Sequence, residues 1–176
     1  MTLKEEQNLV RLAQSGDRDA LSQLWDYFTP KLFGYLVNTL RDKTLAEDVF
    51  QSTWLKALEA LPQYKFQGFS ITAWIFTIAR NECRQHWRKS SRETEFLNNS
   101  TELSGDDREQ LDSRLLVEKI LQDLSEDDRE LLRLRYIADM SPEAIAEVLS
   151  INFVAVRVRL HRALSRARAV LTSQTI

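Results

Sequence analysis

Ser141-Pro-Glu-Ala-Ile-Ala-Glu-Val-Leu-Ser-Ile-Asn-Phe-Val-Ala-Val-Arg-Val-Arg-Leu-His-Arg-Ala163 is the stretch from which the rest of the chain can be read. Ser141 suits a helix N-cap and Pro142 the first helical position, where a missing N–H costs nothing. Ile145, Ala146 and Leu149 give that helix an apolar face. Only Ser150, Ile151 and Asn152 separate it from the next helix, which Asn152 can cap, and so short a connection is typical of a helix-turn-helix. From Phe153 to Leu171, Val156, Leu160, Ala163, Leu164, Ala167, Val170 and Leu171 recur at spacings of three and four and are expected inward, against the preceding helix. The other face then carries Val154, Val158, His161, Arg162 and Ser165, with Arg157, Arg159 and Arg166 at its flanks. Such a face suits a major groove walled by phosphates. Arginines there can fork onto phosphates or guanine edges.

The 176 residues have 24 Lys and Arg against 26 Asp and Glu, a net charge of −2 that looks wrong for a nucleic-acid binder. The charges are segregated, however, and the local field is what a partner meets. Arg80, Arg84, Arg88, Lys89 and Arg92 stand against Glu82 alone. Glu93, Glu95, Glu102, Asp106, Asp107, Glu109 and Asp112 follow, opposed only by Arg108. Beyond Asn152 come five arginines and no acid. Two basic blocks flank an acidic connector.

Four Gly and three Pro are too few for a strand-and-turn architecture, so the fold class is expected to be all-α. Apolar runs are too short to span a bilayer and the first residues lack a signal-peptide core, which predicts a cytoplasmic protein with no membrane insertion. A lone Cys83 with His86 and His161 cannot assemble a four-ligand zinc site. No metal, cofactor or catalytic residue is expected. There is no Gly-rich phosphate loop, and Cys83 and His86 lack a third group that would make them a catalytic pair.

Upstream, a helix with Leu9, Val10, Leu12 and Ala13 inward is expected to end at Ser15-Gly16. Asp17 caps a second, whose face joins Leu21, Leu24, Trp25, Phe28, Leu32, Phe33, Leu36, Val37 and Leu40, with a kink expected at Pro30. Thr44-Leu-Ala-Glu47 has the form of a capping box and opens a third that buries Ala46, Val49, Phe50, Trp54, Leu58 and Leu61 before Pro62 stops it. A fourth follows Ser70 with Trp74, Ile75, Ile78 and Ala79 inward and its arginines elsewhere on the surface. The polar, acidic stretch after it reads as a flexible linker, since ordering it would not recover its conformational entropy. Further helices are expected over Arg108–Asp123 and Asp127–Ile137, the second capped by Ser125. The expected division is 1–92, 93–112 and 113–176: two small helical domains joined by an acidic flexible linker, the second a helix-turn-helix.

Both ends of the chain resemble the extracytoplasmic-function (group IV) sigma factors of bacterial RNA polymerase, a branch of the sigma-70 family. Leu124-Ser-x-x-x-Arg129, Met140-Ser141-x-x-Ala-Ile145-Ala146-Glu147-x-Leu149 and Val156-Arg157-x-Arg159-Leu160-x-Arg162-Ala163 are similar, without a gap, to the family's region that reads the −35 promoter element. Ala46-Glu-Asp-Val-Phe-Gln-Ser-Thr-Trp-Leu-Lys56 looks like the segment that docks on the β′ clamp helices, and Trp74-Ile-Phe-Thr-Ile-Ala-Arg-Asn81 like the helix that opens and binds the −10 element. The resemblance implies a factor that lends promoter recognition to core RNA polymerase, through the β′ clamp helices and the β flap, and that an anti-sigma factor holds inactive. It assigns polymerase docking to Asp48, Gln51, Ser52 and Lys56, and −10 DNA to Tyr64, Lys65, Arg80, Asn81, Arg84, Trp87 and Arg88. It assigns −35 DNA to Asn152, Val154, Arg157, Val158, Arg159, His161 and Arg162. The chain departs from the family pattern at Ser150, Val154 and Ala155, where Gly, Gly and Thr are usual.

Two other classes fit the helix-turn-helix. An operator-binding regulator would act without polymerase but commonly needs a dimer interface or effector pocket, and neither is visible in the sequence. A sigma-like adaptor with weak DNA recognition would explain the three departures. Promoter-specific transcription with core enzyme separates these from the first reading.

Overall fold

The computed structural model describes residues 1–66, 70–94 and 124–172, with side chains for those up to 89 and from 124 to 169. Among these residues there is no strand. The helices are α1 (Leu3–Gln14), α2 (Arg18–Leu40), α3 (Lys43–Ala60), α4 (Ile71–Thr94), α5 (Glu126–Tyr136), α6 (Pro142–Leu149) and α7 (Phe153–Thr172), with a 3-10 turn at Leu61–Gln63. Most of the acidic connector expected at 93–112, and the helix expected over 108–123, lie outside the described residues; 93 and 94 close α4. No helix among the described residues is long and apolar enough to cross a membrane.

Most helix ends are set by the local chemistry read from the sequence. Asp17 accepts from the N–H of Asp19 and Ala20 to start α2, and Gly16 takes φ +92° between α1 and that cap. Ser125 accepts from Asp128 N–H to start α5, and Ser141 from Ala144 N–H to start α6. The start of α3 differs from expectation. Asp42 accepts from Leu45 N–H at 3.0 Å, so the helix begins at Lys43 and Thr44 lies inside it. A carboxylate two residues earlier is the stronger acceptor for the orphan N–H groups and sits at the positive end of the helix dipole. Pro30 lies within α2, whose helical run is unbroken from Arg18 to Leu40.

Burial corrects three inward assignments. Leu12, Trp25 and Leu58 are exposed, because apolar periodicity says which residues share a face and not whether a neighbouring helix covers all of it. Thr53 and Ala57 fill the α3 interface instead, with the Thr53 hydroxyl donating to the Val49 carbonyl. On α1 Glu6 is buried, accepting from the Thr72 hydroxyl at 3.0 Å; burial raises its pKa, and that bond opposes the rise.

The two helical sets expected as separate domains pack together. Phe28, Leu32, Tyr35 and Leu36 of α2, Ile71 and Phe76 of α4, Leu131 and Leu134 of α5, Ile145 of α6 and Val156 of α7 belong to one continuous core. The seam runs where α4 meets α6 and α2 meets α5. At Gly34 a Cβ would lie 3.2 Å from Ile137 Cγ2, so glycine there lets α2 approach the end of α5 closely.

Candidate polymerase and promoter interface

The outer face of α3 holds the four residues expected to dock on polymerase. Val49 and Trp54 are buried and Phe50 packs edge-on against Trp25 and Phe33, which turns Asp48, Gln51 and Lys56 to solvent and leaves Ser52 half-buried. Lys56 Nζ meets Glu82 Oε1 of α4 at 2.5 Å. Leu55 and Leu58 are exposed on the same helix, and Trp25 of α2, tilted against Trp54 with centroids 4.5 Å apart, is exposed too. The sequence reading missed these three. Leu55 had a detectable signal, as an apolar residue off the inward stripe; Trp25 and Leu58 lie on that stripe and had none.

The residues expected to meet −10 DNA fall into two groups. Asn81, Arg84, Trp87 and Arg88 are exposed along the outer surface of α4. Tyr64 is half-buried against Trp74, with centroids 4.9 Å apart, and Lys65 is exposed. Gln14 fixes this turn by donating to the carbonyls of Leu61 and Tyr64 at 2.9 and 2.7 Å. Tyr64, Lys65, Trp74, Thr77, Glu147 and Ser150 border an open cleft of about 480 Å³ at the seam. Glu147 also accepts from Ser70 N–H at 3.2 Å, and burial raises its pKa against that bond.

Arg80 stands apart. Its Nε and Nη2 donate to Glu130 Oε1 and Oε2 of α5 at 2.6 and 3.1 Å, and its side chain is only 15% exposed. The Tyr35 hydroxyl donates to the same carboxylate at 3.4 Å. Burial alone would lower the Arg80 pKa, but the Glu130 carboxylate outweighs it and raises it. Lys31 and Asp139, 3.2 Å apart, add a second pair across the seam. Cys83, under this cluster, has its pKa pushed up to about 12 by burial and by the charge on Glu130, far from the range of a reactive thiolate. Among the described residues no group of three or more His, Cys, Asp or Glu side chains is placed to hold a metal.

In the helix-turn-helix, Ser150 takes φ 54°, ψ 42°, the left-handed conformation that the usual Gly would adopt without strain. Asn152 Oδ1 accepts from Val154 N–H at 2.7 Å and caps α7. Val156, Leu160 and Ala163 are buried, with Ile145 and Val148 among the buried residues of α6. Val154, Arg157, Val158, His161 and Arg162 are exposed on the opposite face as expected. Arg159 is turned aside: it lies 3.2 Å from Asp127 and 3.6 Å from Asp128, and Asp128 also holds Arg166 at 3.0 Å, tying α7 to α5.

Comparison with known proteins agrees with this arrangement. Residues 24–93 match the family model for sigma-70 region 2, and residues 114–166 that for sigma-70 region 4. The ECF RNA polymerase sigma factor ShbA of Streptomyces griseus subsp. griseus is 31% identical over 177 residues, covering 92% of this chain and 93% of that one. BldN of Streptomyces coelicolor, an ECF RNA polymerase sigma factor, is 29% identical over 163 residues; the match covers 88% of this chain and 61% of the relative. The sigma factor RpoE of Bartonella quintana, solved in complex with the anti-sigma factor NepR, superposes with a TM-score of 0.70 at 26% identity over 88% of this chain and 98% of that one. With a region 2 surface on α3 and α4, a region 4 helix-turn-helix behind it, and a relative matched along nearly its whole length, this chain belongs to the extracytoplasmic-function sigma factors of the sigma-70 family.

Proposed function

We propose that the chain binds core RNA polymerase and directs it to promoters, with α3 as the docking face, the outer surface of α4 as the reader of the −10 strand and α7 as the reader of −35 duplex. A sigma factor of this kind catalyses no reaction. It supplies sequence recognition and holds an unpaired strand so that the template is exposed. The observation that carries the reading is one of placement: two basic surfaces, Arg84 to Arg88 on α4 and Arg157 to Arg162 on α7, with an exposed α3 face of Asp48, Gln51, Leu55 and Lys56 on the same chain.

Asn81, with both an amide donor and a carbonyl acceptor, is assigned a base edge. Arg84, Arg88 and Trp87, with Tyr64 and Lys65 in the preceding turn, combine cations with aromatics, the mixture that tracks phosphates and stacks bases of a single strand. Arg80 can join them only by leaving Glu130, so the polymerase-bound form has the seam between α4 and α5 opened at that pair. Arg159 can reach DNA only by leaving Asp127 and Asp128, a separate rearrangement between α7 and α5. The β′ clamp helices and the β flap are the docking sites on polymerase. Control by an anti-sigma factor follows by analogy with RpoE, which is held by NepR, and the place of action is the cytoplasm, where polymerase and promoter are.

Retention of core polymerase on the immobilised protein tests the docking face. The triple variant Asp48→Ala, Gln51→Ala, Lys56→Ala should lose most of it, and normal retention would reject that assignment. Asn81→Ala should leave retention unchanged but impair promoter opening, read by permanganate reactivity of unpaired thymines.

A further inference from the structure

The first two turns of α7 present an apolar stripe where a solvated helix face should be polar. Val154 is 63% exposed and Val158 42% exposed, while Val156 and Leu160 between and beyond them are fully or nearly fully buried. At about 100° per residue, Val158 lies about 40° from Val154 around the helix, Arg157 about 60° to one side and Arg162 about 80° to the other. The two valines are thus stacked one turn apart and bracketed by exposed arginines. Two of the polar groups nearby are engaged: Asn152 spends its carbonyl oxygen on the Val154 N–H, and Arg159 is held by Asp127 and Asp128; exposed His161 continues the same face beyond Val158. Arg157 leans over the Phe153 ring at 5.8 Å, which directs its guanidinium along the flank of the helix rather than over the valines.

A valine cannot hydrogen-bond a base. The one apolar group that a base edge offers in the major groove is the 5-methyl of thymine, and the N-terminal residues of a recognition helix are those that reach base edges. We infer that Val154 and Val158 read thymine methyl groups in the −35 element by apolar contact, while Arg157 and Arg162 hold the phosphates on either side. The inference rests on α7 being the −35 reader. It assigns to Val154 a contact that a glycine at this position could not make. The acid-free helix favours duplex DNA over a protein partner for this stripe, since its cations match the charge of both phosphate walls.

Selection of duplexes with a randomised −35 segment, using holoenzyme reconstituted from core polymerase and the full chain, followed by replacement of each selected thymine with uracil, tests this. Uracil keeps every hydrogen-bonding group and loses only the methyl. Selected sites should contain thymine, on either strand, at one or two positions where uracil lowers holoenzyme affinity about fourfold per methyl, the size of one buried methyl group. The Val154→Ala, Val158→Ala double variant should still select −35 sequence through its arginines but bind thymine and uracil duplexes alike. Alanine on an exposed helix face preserves the fold, and an unchanged melting temperature checks it. Equal binding of thymine and uracil duplexes by the unaltered protein overturns the methyl contact while leaving α7 as the −35 reader. Absence of any −35 selection overturns both.

Discussion

Ser150 holds a left-handed conformation with a side chain attached, and the turn between α6 and α7 depends on it. The conformation lets its N–H reach the Ala146 and Glu147 carbonyls, which closes α6 and aims the chain into the cap at Asn152. A non-glycine residue is strained there by about 1 kcal/mol, partly offset because serine leaves the unfolded chain fewer conformations than glycine would. Ser150→Gly should therefore stabilise the protein by at most about 0.5 kcal/mol in urea unfolding, whereas Ser150→Val should destabilise it. At the same scale, the sequence marks Ser150 only as a position where the resembled family usually has Gly, and the left-handed conformation is what the folded turn adds. Sequence could not reveal that Arg80, Lys56 and Arg159 have carboxylate partners. Their partners Glu130, Glu82 and Asp127 are respectively 50, 26 and 32 residues away, and only the packing of helices brings each pair together.

Each helix is set by its ends and by what covers it, and the two kinds of information are unequally local. Caps are local, so Ser125, Ser141, Asn152 and Asp17 were all readable. The exception is instructive, because Asp42 and Thr44 both offer an acceptor and only the folded helix shows which is used. Asp42→Ala should cost about 1 kcal/mol of stability, and Thr44→Ala nearly nothing; equal costs would contradict the observed cap. Coverage is not local. The exposure of Trp25 and Leu58 was invisible to periodicity because it depends on where the neighbouring helices stop, whereas Leu55 already lay off the inward stripe. On α7, by contrast, the inward stripe was dense enough to fix the outward face, and Val154, Arg157, Val158, His161 and Arg162 lie where the spacing put them.

For the whole molecule, the informative feature is the seam. Regions 2 and 4 share a core, and Glu130 draws Arg80 and Tyr35 to one carboxylate across it, with Lys31 and Asp139 as a second pair. In this arrangement the α7 face is open while Arg80 is occupied. Glu130→Ala removes two charge-assisted hydrogen bonds from a largely buried guanidinium, a loss on the order of 2 kcal/mol that separating the two regions would relieve. The variant should have a larger radius of gyration in X-ray scattering and should bind a single-stranded −10 oligonucleotide several-fold more tightly than the unaltered protein. Arg80→Ala should bind it more weakly. If Glu130→Ala changes neither quantity, the pair is not what keeps Arg80 from DNA. Run-off transcription from a promoter library with core polymerase, in the presence and absence of this protein, tests whether it directs initiation. New transcripts should arise from a defined subset of promoters, dependent on sequence at both −35 and −10. Tight operator binding by the protein alone, with no promoter-selective transcript in the presence of core polymerase, would contradict that role.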